Sequence, residues 1–328
     1  MMEQTEPVFS TRTDLSALND AVYKIRSEIA KVIVGQAQMV DLLLAGILSG
    51  GHVLIEGVPG VAKTLTAKLL AKSLDVPFSR IQFTPDLMPS DVLGTSVFNP
   101  RDAGFEFRPG PIFSSVVLID EINRAPAKTQ AALFEVMEER QVTVDGKTNL
   151  MSKPFMVIAT QNPVEHEGTY RLPEAQLDRF IFKINVPYPT TEEEVKILSG
   201  HHQLKQDSQL DKIEKVLTAS QIENLQQQIR QLHVEEKLLQ FIAKLVTETR
   251  SNKSIFLGAS PRASIAILNA SKAIAAMHSR DFVTPDDILF VVPAVLRHRI
   301  VLTPEKEMEG IVPDEVIQQM VQGLEIPR

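Results

Sequence analysis

The stretch HVLIEGVPGVAKTLTAKLL, His52 to Leu70, constrains the fold of this chain more than any other. A short apolar run ends in glycine, a glycine-containing loop follows, and helical spacing begins at Lys63. A buried strand that feeds a helix through so short a loop needs a crossover before its next parallel partner. The rest of the first half supplies those partners. FSRIQF, SSVVLIDE, FMVIATQN and RFIFKINV read as short buried strands. Thr13–Ala30, Gln36–Leu48, Lys63–Leu74 and Ala127–Glu139 read as helices. Alternation of this kind predicts an α/β fold, a parallel sheet sandwiched by helices. The pattern changes at VPYPT, Val186 to Thr190. Beyond it Thr191–Gly200, Ser220–Leu232, Glu235–Arg250, Pro261–His278 and Pro285–Arg299 all read as helices, several opened by helix-start residues such as Ser260-Pro261 and Thr284-Pro285-Asp286-Asp287. The expected organisation is an α/β core over 1–188 and a small helical domain over 189–328.

The loop itself nearly matches a phosphate-binding pattern, G-x-x-x-x-G-K-[ST], with Ala62 in place of the second glycine. In such a cradle Gly57 permits a tight exit from the strand and Gly60 supplies a positive φ that a Cβ would resist. Backbone N–H groups then face the phosphates at the helix N-terminus. Gly57, Pro59, Gly60, Val61, Ala62, Lys63, Thr64 and Leu65 would line the nucleotide. Lys63 would reach the β- and γ-phosphates, and Thr64 would ligate Mg²⁺. Ala62 is expected at negative φ, already entering the helix, where Ala is favoured over Gly by about 1 kcal/mol. Taken alone, a glycine turn with a solvated Lys63 reads equally well.

The stretch VVLIDEINRA, Val116 to Ala125, decides between the two. Its apolar run delivers Asp120 and Glu121 to the C-terminal end of a buried strand, the edge where such sheets bind ligands. Asp120 would hold Mg²⁺ through water, and Glu121 would accept the proton of an attacking water. Solvated acids often follow strands, but rarely at this distance from a phosphate-loop candidate. Asn162, after the next strand, would orient the water; by itself its Asn-Pro would be read as a turn. Together these motifs point to a nucleoside triphosphatase. Lys63 and Asp120 are 57 residues apart, whereas the intervening elements need roughly 40. The excess, Gly94–Phe113, reads as an inserted hairpin. A second hairpin is expected over QVTVDGKTNLM, 141–151, with an Asp145-Gly146 turn.

Composition narrows the classes. In 328 residues, 44% are apolar and 23% charged, enough for a sizeable core. The net charge of −7 argues against a protein whose main task is holding nucleic acid. No cysteine is present, so disulfides and cysteine metal sites are excluded. MMEQTEPVFS lacks the features of a signal peptide, and MVDLLLAGIL is too short to span a bilayer. The expectation is a cytoplasmic protein. His166, flanked by Glu165 and Glu167, has no partner at metal-ligand spacing and reads as loop.

At this point the chain resembles the MoxR family of AAA+ ATPases, over roughly Ala30 to Val301. The most specific stretches are VGQ at Val34–Gln36, IQFTPDLMPSD at Ile81–Asp91, LIDEINRAPAKTQAALFEVMEE at Leu118–Glu139, ATQNP at Ala159–Pro163, LPEAQLDRF at Leu172–Phe180 and GASPRA at Gly258–Ala263. The resemblance implies that Val34 and Gly35 pack near adenine and that Asn162 is the sensor 1 residue. It implies that Arg179 is an arginine finger reaching a neighbouring subunit's ATP and that Arg262 is sensor 2 in the lid. Arg171 would be a second interface arginine, and the two hairpins would be the helix-2 and pre-sensor-1 inserts. From the sequence alone, an ion pair of Arg179 with Asp178 or Glu174 would be the simpler reading. Arg262 opens a helix, the end that prefers anions, which hints at a ligand. The resemblance further implies ATP and Mg²⁺, a ring (as a hexamer), and chaperone-like remodelling of a separate partner carrying a von Willebrand factor A domain. Alternatives are a nucleic-acid-stimulated motor, the ATPase subunit of a metal chelatase, and a scaffold that hydrolyses little. The hairpin at 141–151 carries Lys147 but no aromatic residue for stacking on bases.

Overall fold

The structure, a computed structural model, describes residues 14–101, 103–162, 170, 172–203 and 213–327. Two helices, α1 (Ser16–Ala30) and α2 (Ala37–Ser49), lead into strand β1 (His52–Gly57) and helix α3 (Lys63–Ser73). Strand β2 (Phe78–Gln82) follows, then α4 (Pro89–Leu93) and a hairpin of β3 (Gly94–Asn99) and β4 (Gly104–Pro109). Strand β5 (Val116–Asp120) passes through a single 3-10 turn into α5 (Ala127–Glu139). A second hairpin, β6 (Gln141–Val144) and β7 (Lys147–Leu150), precedes β8 (Met156–Gln161), α6 (Glu174–Leu177) and β9 (Phe180–Val186). The second half contains α7 (Thr191–Gln203), α8 (Ala219–Arg230), α9 (Glu236–Ser251), β10 (Ile255–Leu257), α10 (Pro261–Met277) and α11 (Pro285–Leu296). It ends with β11 (Val301–Leu302), α12 (Pro304–Met308) and α13 (Pro313–Gln322).

The main sheet has the order β2-β5-β8-β1-β9, and every pairing is parallel. Its central strands are buried on both faces, as continuous apolar runs require. Val53, Ile55, Val116, Leu118, Met156 and Ile158 face one apolar cluster. Leu54, Val117, Ile119, Val157 and Ala159 face the other. The period-2 alternation of side chains produces this division. The first cluster runs without a break from α1 and α2 into α8–α11, so the helical second half shares its core with the sheet. On the other face, Phe134 of α5 meets Phe180 edge to face, 5.8 Å between centroids. Such a pair contributes about 0.5–1.5 kcal/mol beyond its burial. It fixes the C-terminal half of α5 against the start of β9.

Both inserted hairpins are present in antiparallel register. The tip of the second places Asp145 (φ 50°) and Gly146 (φ 74°) in the left-handed region, the geometry of a two-residue turn that matches strand twist. Ser96 donates to the Asp145 carboxylate, joining one hairpin to the other. The sequence pattern missed the short β10–β11 pair and α12 and α13. Among the described residues, no helix is long and apolar enough to cross a membrane.

Candidate nucleotide site

Strands β1, β8 and β5 are adjacent and parallel, so their C-terminal ends share one edge of the sheet. The loop after Gly57, Asn162 after β8, and Asp120–Glu121 at the end of β5 therefore line up across three neighbouring strands. This edge gathers five of the seven chemistry-bearing residues expected from the sequence: Lys63, Thr64, Asp120, Glu121 and Asn162.

The loop is built by backbone conformation. Gly60 has φ 90° with open space around it, so its requirement is purely torsional. Gly57 has a different reason: a Cβ there would lie 3.0 Å from the Val186 carbonyl oxygen, so glycine permits β9 to pack alongside. Ala62 contradicts the expectation of negative φ. It stands at φ 59°, ψ 21°, as the left-handed N-cap of α3. The loop turns with positive φ at Ala62 as well as at Gly60, and the helix begins only at Lys63. An L-residue in this region costs about 1–2 kcal/mol. Glu121 is a second such residue at this edge, at φ 58°. Backbone strain of this kind collects where surrounding structure holds a functional geometry.

Pro59 and Gly60 are exposed at the tip, while Val61 is buried and Leu65 packs against the core. Lys63 Nζ donates to the Gly57 carbonyl, bending its ammonium over the loop. Thr64 Oγ1 lies 3.2 and 3.4 Å from the two Asp120 carboxylate oxygens. A hydroxyl and a carboxylate in contact are the oxygen donors that suit Mg²⁺, which binds through one or two protein oxygens, phosphates and water. The donor set therefore fits that ion. Asp120 also accepts from Thr160 Oγ1 at 3.2 Å and from Arg80 Nε at 2.6 Å. Thr160 in turn accepts from the Glu121 N–H at 3.1 Å, fixing the strained residue. Gln82 Nε2 (2.9 Å) and Arg124 Nε (3.0 Å) both end on Glu121 Oε2. Asn162, one residue beyond the end of β8, is buried. Val34 and Gly35 precede α2, and the Glu193 carboxylate of α7 packs onto Gly35, where a Cβ would come within 2.3 Å of it.

Arg179 and Arg262 are elsewhere. Arg179 immediately precedes β9, whose first residue pairs with His52 and whose last pairs with Gly57. It therefore sits at the N-terminal edge of the sheet, about 20 Å of strand away from the phosphate loop. Arg262, in the first turn of α10, is beside it. The carboxylate that holds both is Glu138 of α5: Oε2 is 3.1 Å from Arg179 Nε, and Oε1 is 2.5 Å from Arg262 Nη2. Arg179 Nη1 also donates to the Phe134 carbonyl at 2.5 Å. Asp178 is not the partner of Arg179 that the simpler reading supposed. It is taken by Arg299 at 2.7 Å and by Ser260 Oγ at 2.8 Å. Arg171 and the His166 segment lie outside the described residues.

Sequence reasoning missed Arg80, Gln82, Arg124, Thr160 and Glu138. Glu138 carried a signal: a carboxylate in the last turn of a helix opposes the helix dipole, so a tertiary partner had to hold it there. Arg80 and Gln82 carried none, because polar residues on an edge strand read as solvated.

Comparison with known proteins agrees with this fold. The family described as "ATPase family associated with various cellular activities (AAA)" matches residues 52–182, and an AAA lid domain matches 247–320. YeaC of Bacillus subtilis (strain 168) is 46% identical over 94% of this chain and 96% of its own length. Chaperone MoxR1 of Mycobacterium tuberculosis is 44% identical, covering 92% of this chain and 81% of its own. Protein MoxR of Methylorubrum extorquens is 30% identical over 92% of this chain and 94% of its own. A crystal structure of an ATPase candidate from Cytophaga hutchinsonii superposes with a TM-score of 0.87 at 41% identity, covering 96% of this chain and 97% of that one. On these matches, the chain belongs to the MoxR family of AAA+ ATPases and is an ATP hydrolase.

Proposed function

We propose that the chain hydrolyses ATP at the interfaces of a ring, and that the resulting lid motion remodels or matures a separate protein partner. One observation carries the ring: the site residues fall on opposite edges of the sheet. Lys63, Thr64, Asp120, Glu121 and Asn162 form one half-site, and Arg179 and Arg262 the other, so a complete site needs the edge of one subunit against the opposite edge of the next. A head-to-tail contact of this type closes into a ring, and a hexamer is the closure expected from the family.

In this reading the loop amides from Gly57 to Thr64, turned inward by positive φ at Gly60 and Ala62, cradle the phosphates. Lys63 leaves the Gly57 carbonyl for the terminal phosphates. Thr64 and Asp120 would hold Mg²⁺, which when bound would supply positive charge to the phosphates. Glu121 keeps Oε1 for the proton of the attacking water, because Gln82 and Arg124 both bind Oε2. Asn162 orients that water. From the neighbour, Arg179 and Arg262 meet the charge that develops on the γ-phosphoryl group; a guanidinium supplied in this way is worth about 10³–10⁵ in rate. Chaperone naming of the Mycobacterium tuberculosis relative supports a protein client. We assign the partner a von Willebrand factor A domain on the family resemblance.

Glu121→Gln tests the assignment. It should bind ATP with parent affinity and lose about 10²–10⁴ in turnover, the range of general-base loss. Parent-rate hydrolysis would refute it. The same variant, locked with ATP, should retain the client in a pull-down, and a client without a von Willebrand factor A domain would refute that partner.

A further inference from the structure

We infer that Glu138 is a positioning residue that pre-orders Arg179 and Arg262 as one fork for the phosphate of a neighbouring subunit. The inference rests on the placement of those arginines toward a neighbour.

Local physics does not put a carboxylate at this position. Glu138 lies in the last turn of α5, where the exposed carbonyls carry partial negative charge. What holds it is tertiary. Each of its two oxygens takes one guanidinium, Oε1 that of Arg262 and Oε2 that of Arg179. The two arginines come from different parts of the chain, one before β9 and one on the lid helix α10. Brought together without an anion between them they would repel. With the carboxylate between them, they stay side by side, and the lid is tied to the core at this point. A guanidinium has five N–H donors in a fixed plane. Arg262 spends one side-chain donor on Glu138. Arg179 Nε is buried 3.1 Å from Glu138 Oε2 in an ion pair without hydrogen-bond geometry, and its Nη1 donates to the Phe134 carbonyl. Both therefore keep N–H groups for a second anion.

The surroundings fit a phosphoryl group. A cleft of about 270 Å³ is bordered by Glu138, Arg179 and Arg262 together with Arg140, Asp178 and Arg299. Asp178 is paired with Arg299, so on this side three guanidiniums line the cleft with one carboxylate and it is net positive, while Glu135 and Glu139 border the fork on its other side. Glu138 and Arg262 are also both partly exposed, open to an approaching subunit.

The test is complementation between two inactive variants. Glu138→Gln should bind ATP as a single chain within about twofold of the parent, since its own phosphate loop is intact. Its assembled turnover should fall about tenfold or more, the scale of a misplaced charged group. Mixed one to one with Glu121→Gln, it should regain activity. A site formed from the loop of a Glu138→Gln chain and the arginine edge of a Glu121→Gln chain is complete, and random head-to-tail assembly makes about a quarter of sites so. Arg179→Ala mixed with Glu121→Gln runs in parallel. If Arg179→Ala is complemented and Glu138→Gln is not, Glu138 acts within its own subunit and the inference fails while the neighbour reading stands. If neither is complemented, the neighbour reading fails and takes the inference with it. A Glu138→Gln ring hydrolysing at or above the parent rate overturns the inference alone. Because Glu138 is partly exposed, the Gln variant should fold, and its melting temperature reports whether it does.

Discussion

Replacing Asp178 by Asn should destabilise the protein far more than one surface-near acid normally would. Asp178 ends α6, directly before Arg179. Its Oδ1 binds Arg299 Nε at 2.7 Å, with the Arg299 side chain only 3% exposed and that of Asp178 16%. Arg299 also donates to the carbonyls of Val295 (2.6 Å), Phe180 (2.6 Å), Asp178 (3.0 Å) and Ile181 (3.2 Å). Burial pulls the Arg299 pKa down, and the Asp178 charge is the main influence that opposes it. Asn keeps the shape and one acceptor but removes that charge. Removing one partner of a buried pair costs about 3–5 kcal/mol; with four carbonyl contacts retained, the low end applies, about 3 kcal/mol. For a chain of 328 residues that is a fall of about 4 °C in melting temperature. The assay is a thermal melt of the parent, Asp178→Asn and Asp286→Asn, the last an exposed acid expected to shift the melt by no more than about 1 °C. The loss should persist in high salt, because a buried pair is poorly screened. Asp178→Asn melting within about 1 °C of the parent would refute the reasoning, and with it the claim that this charge anchors the end of α11 to the start of β9.

Two further outcomes are expected. Ala62→Gly should be stabilising in urea unfolding, by up to about 1.6 kcal/mol: it relieves the left-handed strain of about 1–2 kcal/mol and gives back about 0.4–1 through the freer unfolded chain. A helical Ala62 would give the opposite sign, a loss near 1 kcal/mol. His52 is buried, with Nδ1 accepting from the Val157 N–H at 2.9 Å and Nε2 facing the Met137 carbonyl at 3.0 Å. Burial lowers its pKa from 6.5 to about 4. The fold therefore favours the neutral ring. This contribution is full above about pH 6.5 and is lost as pH falls toward 4, about 3 kcal/mol in all. An NMR titration should find the ring neutral at pH 5.5, and protonation with a midpoint near 6.5 would refute it.

The elements of the core were legible because they are local. Val116–Asp120 is apolar at every step until its acid, so both its burial and its exit edge follow from its own residues. Gly60 was legible because a positive φ without a Cβ is a property of one residue. Ala62 was not. Its side chain favours helix, and only the closing of the loop between β1 and α3 forces it left-handed. Lys63, Thr64, Asp120, Glu121 and Asn162 could be placed together because each follows a strand or opens a helix at the same sheet edge. The local environment of that edge was invisible: Arg80, Gln82 and Thr160 reach the acids only through strand register.

By itself, then, the sequence determined the strands and longer helices of the sheet domain, the parallel sheet, the strand-to-helix loop after β1 and the place of Asp120 at the end of β5, because apolar periodicity and glycine placement act over a few residues. The tertiary structure decided which charges meet. Glu138 and Arg262 are 124 residues apart in the chain and share a bond; Asp178 passed over its neighbour Arg179 for Arg299, 121 residues away. Ion pairs are set by where packing leaves long side chains, and no local pattern records that. The same packing put Arg179 and Arg262 on the edge of the sheet opposite the loop after β1, the placement on which the proposed ring rests.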